Sequence, residues 1–260
     1  MVRVKGANTP MDFHGRHVVI TGASSGIGLA TARRIAALGG TVTLVARREA
    51  VLADACRDIG PHARYVAADA GDRQAITAAM DQAIALSGPI DGLFLNAGVE
   101  GMFALTPDYT DDAFDEVMRV NAASLFWTIR HVLPAMQQRR RGAILVTGSL
   151  AAETGMAGNI GYIAAKHAAL GIAMGIAMEA APHGVRCNVI NPGFIDTPIL
   201  AGVPEGFKAQ MASRVPQRRI GTAEEAAEVA AFLLSDSASH VTAQRLAVDG
   251  GLLGTLMIET

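Results

Sequence analysis

The chain has 260 residues and a mass of 27.0 kDa, half of it hydrophobic, which suffices for one large α/β domain with an ample core. Its 22 lysines and arginines against 24 aspartates and glutamates leave a formal charge of −2, so there is no global basic field of the kind that gathers nucleic acid or an anionic membrane. Cys56 and Cys187 stand far apart without CxxC spacing, which argues against a disulfide framework and suits a reducing cytoplasm.

Residues 1–14 carry no apolar h-region and are expected to form a flexible lead to a single domain over 15–260. No apolar run reaches the ~18 residues of a membrane span; the longest approach, Ala168 to Met178, is bounded by His167 and Glu179. From there on, short apolar runs alternate with longer helix-like segments. Residues 17–22 (HVVITG) are predicted as a strand and 27–38 as a helix, 41–46 (TVTLVA) as a strand and 48–59 as a helix. A strand at 64–67, a helix at 73–86 and a strand at 92–95 (GLFL) follow, then one long helix over 111–138 and a strand at 143–147 (AILVT). The remaining elements are a helix at 160–181, a strand at 185–190, helices near 204–213 and 224–234, and a strand at 245–248. Strands apolar throughout, joined by helical crossovers, predict a doubly wound parallel sheet with helices on both faces, in one domain. In such sheets ligands bind beyond the carboxyl ends of the strands, and the unusual residues fall there.

After the first strand comes Thr21-Gly22-Ala23-Ser24-Ser25-Gly26-Ile27-Gly28. Glycines let backbone N–H groups approach a pyrophosphate, and the helix that follows offers it a positive end. The spacing is GxxxGxG; alone it is also what a plain strand-to-helix turn looks like, and its place between first strand and first helix strengthens the nucleotide reading. Gly22, Ser24, Ser25, Gly26, Ile27 and Gly28 are accordingly assigned to the cofactor. The second strand ends Val45-Ala46-Arg47-Arg48. An NAD site usually places a carboxylate here to hold the ribose 2′-OH; Ala46 followed by Arg47 and Arg48 favours the 2′-phosphate of NADP instead, with NAD as the lesser choice. The bland alternative is that both arginines are the solvated start of a helix. Asp69 and Ala70 follow the third strand, and Asn96-Ala97-Gly98 the fourth; they suit the adenosine, or equally a turn without ligand.

Tyr162 and Lys166 are four apart on a predicted helix, sharing one face. That helix holds only Lys166 and Glu179 as ionised groups, and a lysine in so apolar a segment needs a polar partner. An ammonium ~4–5 Å from a phenol would lower its pKa by two to three units at an effective dielectric of ~20. This would make the tyrosine a usable acid or base, although an interfacial Tyr beside a snorkelling Lys has the same spacing. Ser149, just past a strand, could hold a substrate oxygen. Asn121, in mid-helix, could organise a water between Lys166 and solvent.

Taken together, TGASSGIG (21–28), Asp69, NAG (96–98), Asn121, Ser149, YIAAK (162–166), NPGFIDTP (191–198) and the tail 219–251 make the chain resemble the short-chain dehydrogenase/reductase family from about Gly15 onward. The resemblance implies a catalytic tetrad of Asn121, Ser149, Tyr162 and Lys166, with Lys166 also holding the nicotinamide ribose. It implies that Ile195 and Thr197, after Pro192-Gly193, contact the carboxamide. It also implies a seven-stranded sheet of order 3-2-1-4-5-6-7 and a homotetramer or dimer, with the Gly/Ala-rich segment 160–181 against a sister subunit. Three positions depart from the family pattern: Leu95 where many members have Asn, Thr242-Ala243 in place of Thr-Gly, and Ser25 where some NADP-preferring members carry a basic residue.

The expected activity is hydride transfer between NADP(H) and a carbonyl or secondary alcohol of a small molecule, with Tyr162 as general acid or base and no metal. The substrate would enter over 150–158, beneath a mobile loop near 194–215 whose Leu200, Phe207 and Met211 suit an apolar acceptor. One rival is a 3-oxoacyl thioester reductase, its acidic carrier protein docked on Arg139-Arg140-Arg141; an enoyl reductase would want a longer Tyr-to-Lys spacing. Another rival is a cofactor-sensing protein without turnover, which would not need Ser149, Tyr162 and Lys166 together. A metal-dependent alcohol dehydrogenase is disfavoured, because the seven histidines do not cluster.

Overall fold

A computed structural model describes residues 11–254. Its strands are β1 (His17–Thr21), β2 (Thr41–Ala46), β3 (Ala63–Ala67), β4 (Gly92–Leu95), β5 (Gly142–Thr147), β6 (Val185–Pro192), β7 (Ile195–Asp196), β8 (Gly221–Thr222) and β9 (Arg245–Val248). Seven of them form one parallel sheet of order β3-β2-β1-β4-β5-β6-β9. This is the expected doubly wound order, with β9 as the seventh member. The other two pair separately, Ile195 with Gly221 and Asp196 with Thr222; two residues are too short for a hydrophobic period to reveal.

The central strands are apolar on both sides because both sides are buried. Val19, Val45, Leu93, Leu95, Ile144 and Val146 face one core, shared with helices α3 (Arg73–Ser87), α5 (Ser124–Arg139) and α6 (Ile160–Ala180). Their neighbours Val18, Ile20, Val42, Leu44, Phe94 and Leu145 face the other, under α1 (Gly26–Ala37), α2 (Glu49–Ile59) and α8 (Ala223–Leu234). Helix α6 rests on the sheet through Ala165, Ala169, Ala173 and Ala177, spaced four apart and all buried completely. A stripe of methyl groups lets the helix axis come close to the strands.

Two expectations are corrected. The predicted helix over 111–138 is interrupted: α4 (Asp111–Met118) passes into a π-turn at Arg119–Ala123 before α5 begins. One extra residue in the ladder leaves apolar spacing and propensity almost unchanged, so the sequence carries little trace of it; such turns concentrate at functional positions. The lead also ends earlier than residue 14. Phe13 is buried and its N–H donates to the Leu38 carbonyl at 3.0 Å, so the packed body includes it; residues 1–10 and 255–260 lie outside the described residues.

The Thr-Ala departure has a backbone consequence. Ala243 sits at φ 56°, in the left-handed region, pinned there by its N–H to the Cys187 carbonyl at 2.8 Å. A Cβ in that region costs roughly 1–2 kcal/mol, against about 0.4–1 kcal/mol of extra chain entropy that glycine loses on folding. Ala243→Gly should therefore raise the urea midpoint, by about 0.5–1 kcal/mol of stability; an unchanged or lowered midpoint would mean that the turn relieves its strain elsewhere.

Candidate active site

Beyond the carboxyl ends of the strands lies one continuous cavity of about 1120 Å³. Its floor at one end is the loop between β1 and α1. Gly22 and Gly26 take φ +65° and +54°, which glycine adopts without penalty. A Cβ on Gly28 would lie 2.6 Å from the Gly22 carbonyl and 2.7 Å from Asn96 Nδ2, so Gly28 allows α1 to seat on the loop and does not itself line the cavity. The N-cap Ser25 makes no side-chain capping bond and the first turn of α1 has no acidic residue. The opening N–H groups of α1 therefore have no side-chain cap and meet no opposing carboxylate. Ser24, Ser25, Gly26 and Ile27 line the cavity beside them, and this donor set fits a pyrophosphate.

At the end of β2, Ala46, Arg47 and Arg48 line the same cavity, with both arginines exposed and Arg48 Nη2 donating to Ser24 Oγ at 3.2 Å. Asp69 and Ala70 line it too, but Asp69 Oδ1 already accepts the Gly71 N–H at 2.9 Å. The Asn96 side chain is likewise occupied: Nδ2 donates to the Gly22 carbonyl at 3.2 Å and Oδ1 accepts from Thr147 Oγ1 at 3.0 Å. Thr21 Oγ1 accepts the N–H groups of Asn96 and Ala97, both at 3.1 Å. Asn96 thus ties the ends of β1, β4 and β5 together, and Ala97 and Gly98 form the cavity wall.

At the other end, Ser149, Tyr162 and Lys166 line the cavity together. Ser149 follows β5, and its Oγ accepts the Ala151 N–H at 3.1 Å. Lys166 is buried, donates to the Thr147 carbonyl at 2.8 Å, and lies 5.5 Å from the centre of the Tyr162 ring. Burial lowers its ammonium to about 8. The expected drop in the phenol pKa is not found. Burial raises Tyr162 above its ordinary value, the hydrogen bond from Ser149 opposes that rise, and the Glu100 carboxylate adds to it. Taking an anion out of water outweighs what the serine returns.

Asn121 has its side chain engaged by backbone. It lies in the π-turn, lines no part of the cavity, and clasps the Val99 backbone: its Oδ1 accepts the N–H at 2.8 Å and its Nδ2 donates to the carbonyl at 2.7 Å. Gly98 is wedged beneath, where a Cβ would lie 3.2 Å from Asn121 Oδ1 and 3.8 Å from Lys166 Nζ. Asn121 therefore shapes the wall on which Lys166 rests. The sequence had also not pointed to Asn159, the buried N-cap of α6, whose Oδ1 accepts the Tyr162 N–H at 3.2 Å while Nδ2 holds the Glu100 carbonyl at 2.8 Å. An Asn three residues before the catalytic-type Tyr, at a helix start, was the available signal.

Pro192, Gly193, Ile195 and Thr197 continue the wall after β6, and the segment above carries Ile199, Leu200, Val203, Phe207 and Met211 into the cavity. Among the described residues no cluster of metal-ligating side chains occurs. The triple-arginine cluster is largely committed to its own chain. Arg139 donates to the Ile90 carbonyl at 2.5 Å, Arg140 to the Pro182 carbonyl at 3.0 Å, and Arg141 Nε lies 3.7 Å from Asp91.

Comparison with known proteins agrees over nearly the whole chain. The family model described as enoyl-(acyl carrier protein) reductase matches residues 22–253. The cis-4-hydroxycyclohexanecarboxylate dehydrogenase of Sinomonas cyclohexanicum is 38% identical over 241 residues, covering 92% of this chain and 97% of the relative. The 3-oxoacyl-acyl-carrier-protein reductase of Salmonella typhimurium is 33% identical over 242 residues, 93% of this chain and 99% of the relative. The crystal structure of levodione reductase superposes with a TM-score of 0.89 at 34% identity, over 94% of this chain and 99% of that one.

Proposed function

Because the chain belongs to the short-chain dehydrogenase/reductase family and is an oxidoreductase of carbonyl or alcohol groups, we propose that it exchanges a hydride between NADP(H) and a compact, apolar ketone or secondary alcohol. The observation that carries this is Ser149, Tyr162 and Lys166 meeting in one cavity with a glycine loop and two exposed arginines at its other end.

Gly22, Ser24, Ser25, Gly26 and Ile27 would hold the pyrophosphate, with Gly28 seating α1 beneath it. Arg47 and Arg48 would hold the 2′-phosphate; Asp69, Ala70, Asn96, Ala97 and Gly98 would border the adenosine. Lys166 would hold the nicotinamide ribose, and Pro192, Gly193, Ile195 and Thr197 the carboxamide. When bound, the nicotinamide supplies or accepts the hydride. The protein's share is orientation and proton control. The Ser149 hydroxyl and the Tyr162 phenol grip the substrate oxygen, and both stabilise the charge that develops on it. Burial raises the Tyr162 phenol above its ordinary value, so it carries its proton well past neutrality, which equips it as the donor in carbonyl reduction; Lys166 keeps a positive charge close to it below pH about 8. Asn121 acts through Val99, by fixing the wall behind Lys166.

The apolar side chains of Ile199, Leu200, Val203, Phe207 and Met211 at the cavity and the relative named for a hydroxylated cyclohexane carboxylate support an alicyclic substrate. Reduction of 3-oxoacyl thioesters is the second reading, favoured by the similarity to the Salmonella enzyme; the engagement of Arg139, Arg140 and Arg141 within the chain weighs against carrier docking at that cluster. Two free cysteines, Cys56 and Cys187, suit the cytoplasm. A homotetramer or dimer is supported by the outer faces of α5 and α6. Phe126 and Met178 are exposed there, and a Cβ on Gly171 or Gly175 would meet nothing.

Purified protein mixed with NADPH and a panel of cyclohexanones, linear ketones and 3-oxoacyl thioesters decides the matter. Loss of the reduced-nicotinamide absorbance should follow turnover on the order of 1–100 s⁻¹ with a cyclic ketone. Turnover confined to thioesters would select the second reading, and none with any member, with NADPH or NADH, would remove the proposal.

A further inference from the structure

Ser149 is held from behind by a ring of interactions that none of the cavity-lining groups explains. Its main-chain N–H donates to Asn191 Oδ1 at 3.2 Å. Asn191, on β6, is completely buried, and its Nδ2 donates to Glu153 Oε1 at 2.6 Å. Glu153 closes the ring covalently: the single 3-10 turn Leu150–Ala152 has Ser149 at its start and Glu153 at its end. Arg245, on the edge strand β9, brings its Nε to 3.8 Å from Glu153 Oε2. Room for the ring exists because residue 148 is glycine; a Cβ there would lie 2.1 Å from Asn191 Oδ1.

An amide can present either end, and its two partners decide which. The Ser149 N–H can only donate, so it takes Oδ1, and Nδ2 is left to the Glu153 oxygen. Without that acceptor Nδ2 is unmet in a buried place, which costs it its hydration and loosens the amide that holds Ser149. Glu153 itself lies outside the cavity lining, although Leu150, Ala151 and Thr154 on either side of it contribute to that lining. It reaches the substrate oxygen only through Ser149.

We propose that Glu153, steadied by Arg245, is a positioning residue: it fixes the Asn191 amide and thereby the turn that aims the Ser149 hydroxyl. The inference rests on the reading of Ser149 as the group that holds the substrate oxygen, since a misplacement of about 1 Å at such a group can cost up to ~10²-fold in rate.

The test is a set of variants assayed with NADPH and cyclohexanone, alongside hydrogen exchange of the 148–153 segment without nucleotide. Glu153→Ala should lower kcat about tenfold while KM for NADPH moves less than about twofold, because the nucleotide end is untouched. Glu153→Gln keeps an acceptor at the same reach and should recover at least about half the rate. In a Ser149→Ala background, Glu153→Ala should cost less than about twofold more, since the two act as one unit. Exchange of the segment should rise in Glu153→Ala and stay near wild type in Glu153→Gln. Additive losses in the Ser149→Ala background, or a Glu153→Ala variant with wild-type rate and exchange, would overturn the proposal. Should the alanine variant not fold, Glu153→Asp keeps the charge but is one methylene short, and it should show the same loss; wild-type behaviour of Glu153→Asp would equally overturn it. A wild type that reduces no ketone would remove the functional reading, while the exchange comparison would still judge the ring.

Discussion

Tyr162→Phe should lower kcat/KM for ketone reduction by about 10³-fold, within the range over which a positioned general acid accelerates proton transfer. The substitution removes one oxygen and keeps the ring against Lys166, so NADPH binding, followed by its fluorescence, should stay within about threefold. The pH profile adds a second check. Burial holds the phenol above its ordinary value, so a Tyr162 that acts as the acid would keep its proton through neutrality and give out only on the alkaline side. Reduction by the wild type should be level through neutral pH and fall on the alkaline side; oxidation, which needs the tyrosinate, should rise there. A limb near pH 8 in the residual rate of the phenylalanine variant belongs to Lys166, whose ammonium burial brings to about 8. Activity within tenfold of wild type would mean that the proton comes from elsewhere.

The second large effect is on cofactor choice. Pairing Ala46→Asp with Arg47→Leu puts a carboxylate where the 2′-phosphate would lie and withdraws one of its two cations. At ~5 Å and an effective dielectric of ~20, each unit of phosphate charge is repelled by about 3 kcal/mol, and a lost charge-assisted hydrogen bond adds about 1.5–3 kcal/mol. Discounted for exposure to solvent, since Arg47 and Arg48 are exposed, the ratio of kcat/KM for NADPH over NADH should fall on the order of 10²–10³-fold. The retained Arg48 still reaches Ser24, which sets the floor. If that ratio does not move, the nucleotide's adenosine ribose lies elsewhere and the preference for NADP loses its footing.

Strands were the most legible part of the sequence. Thr41–Ala46 and Gly92–Leu95 are legible with their observed bounds, because a strand buried on both faces is a largely apolar run that polar turns cut off cleanly. The meeting of Ser149, Tyr162 and Lys166 was legible for a related reason: the strand ends fix where the chain must pass, and the spacing of four fixes a shared helix face. What escaped was carried by partners that leave no pattern. Asn121 was noticed as a polar residue in an apolar helix, but its partner is the backbone of Val99, and any residue has a backbone. Asn191 and Glu153 are far apart in the chain and meet only because β5 and β6 are neighbours. The phenol's proton affinity does not follow from a spacing of four, which says that two side chains are close but not how much water burial takes from the phenol.

The alanine seat of α6 has a consequence for how such a protein can change. Ala165, Ala169, Ala173 and Ala177 have no rotamers with which to absorb a neighbour's growth, and the helix they support carries Tyr162 and Lys166. A bulkier residue on the facing strands must lift the whole helix, which would be felt as lost turnover before it threatens folding. Novelty is therefore channelled to places that do not bear on that seat, above all the apolar canopy from Ile199 to Met211. A lineage built this way can exchange one substrate for another many times over while its reaction stays the same.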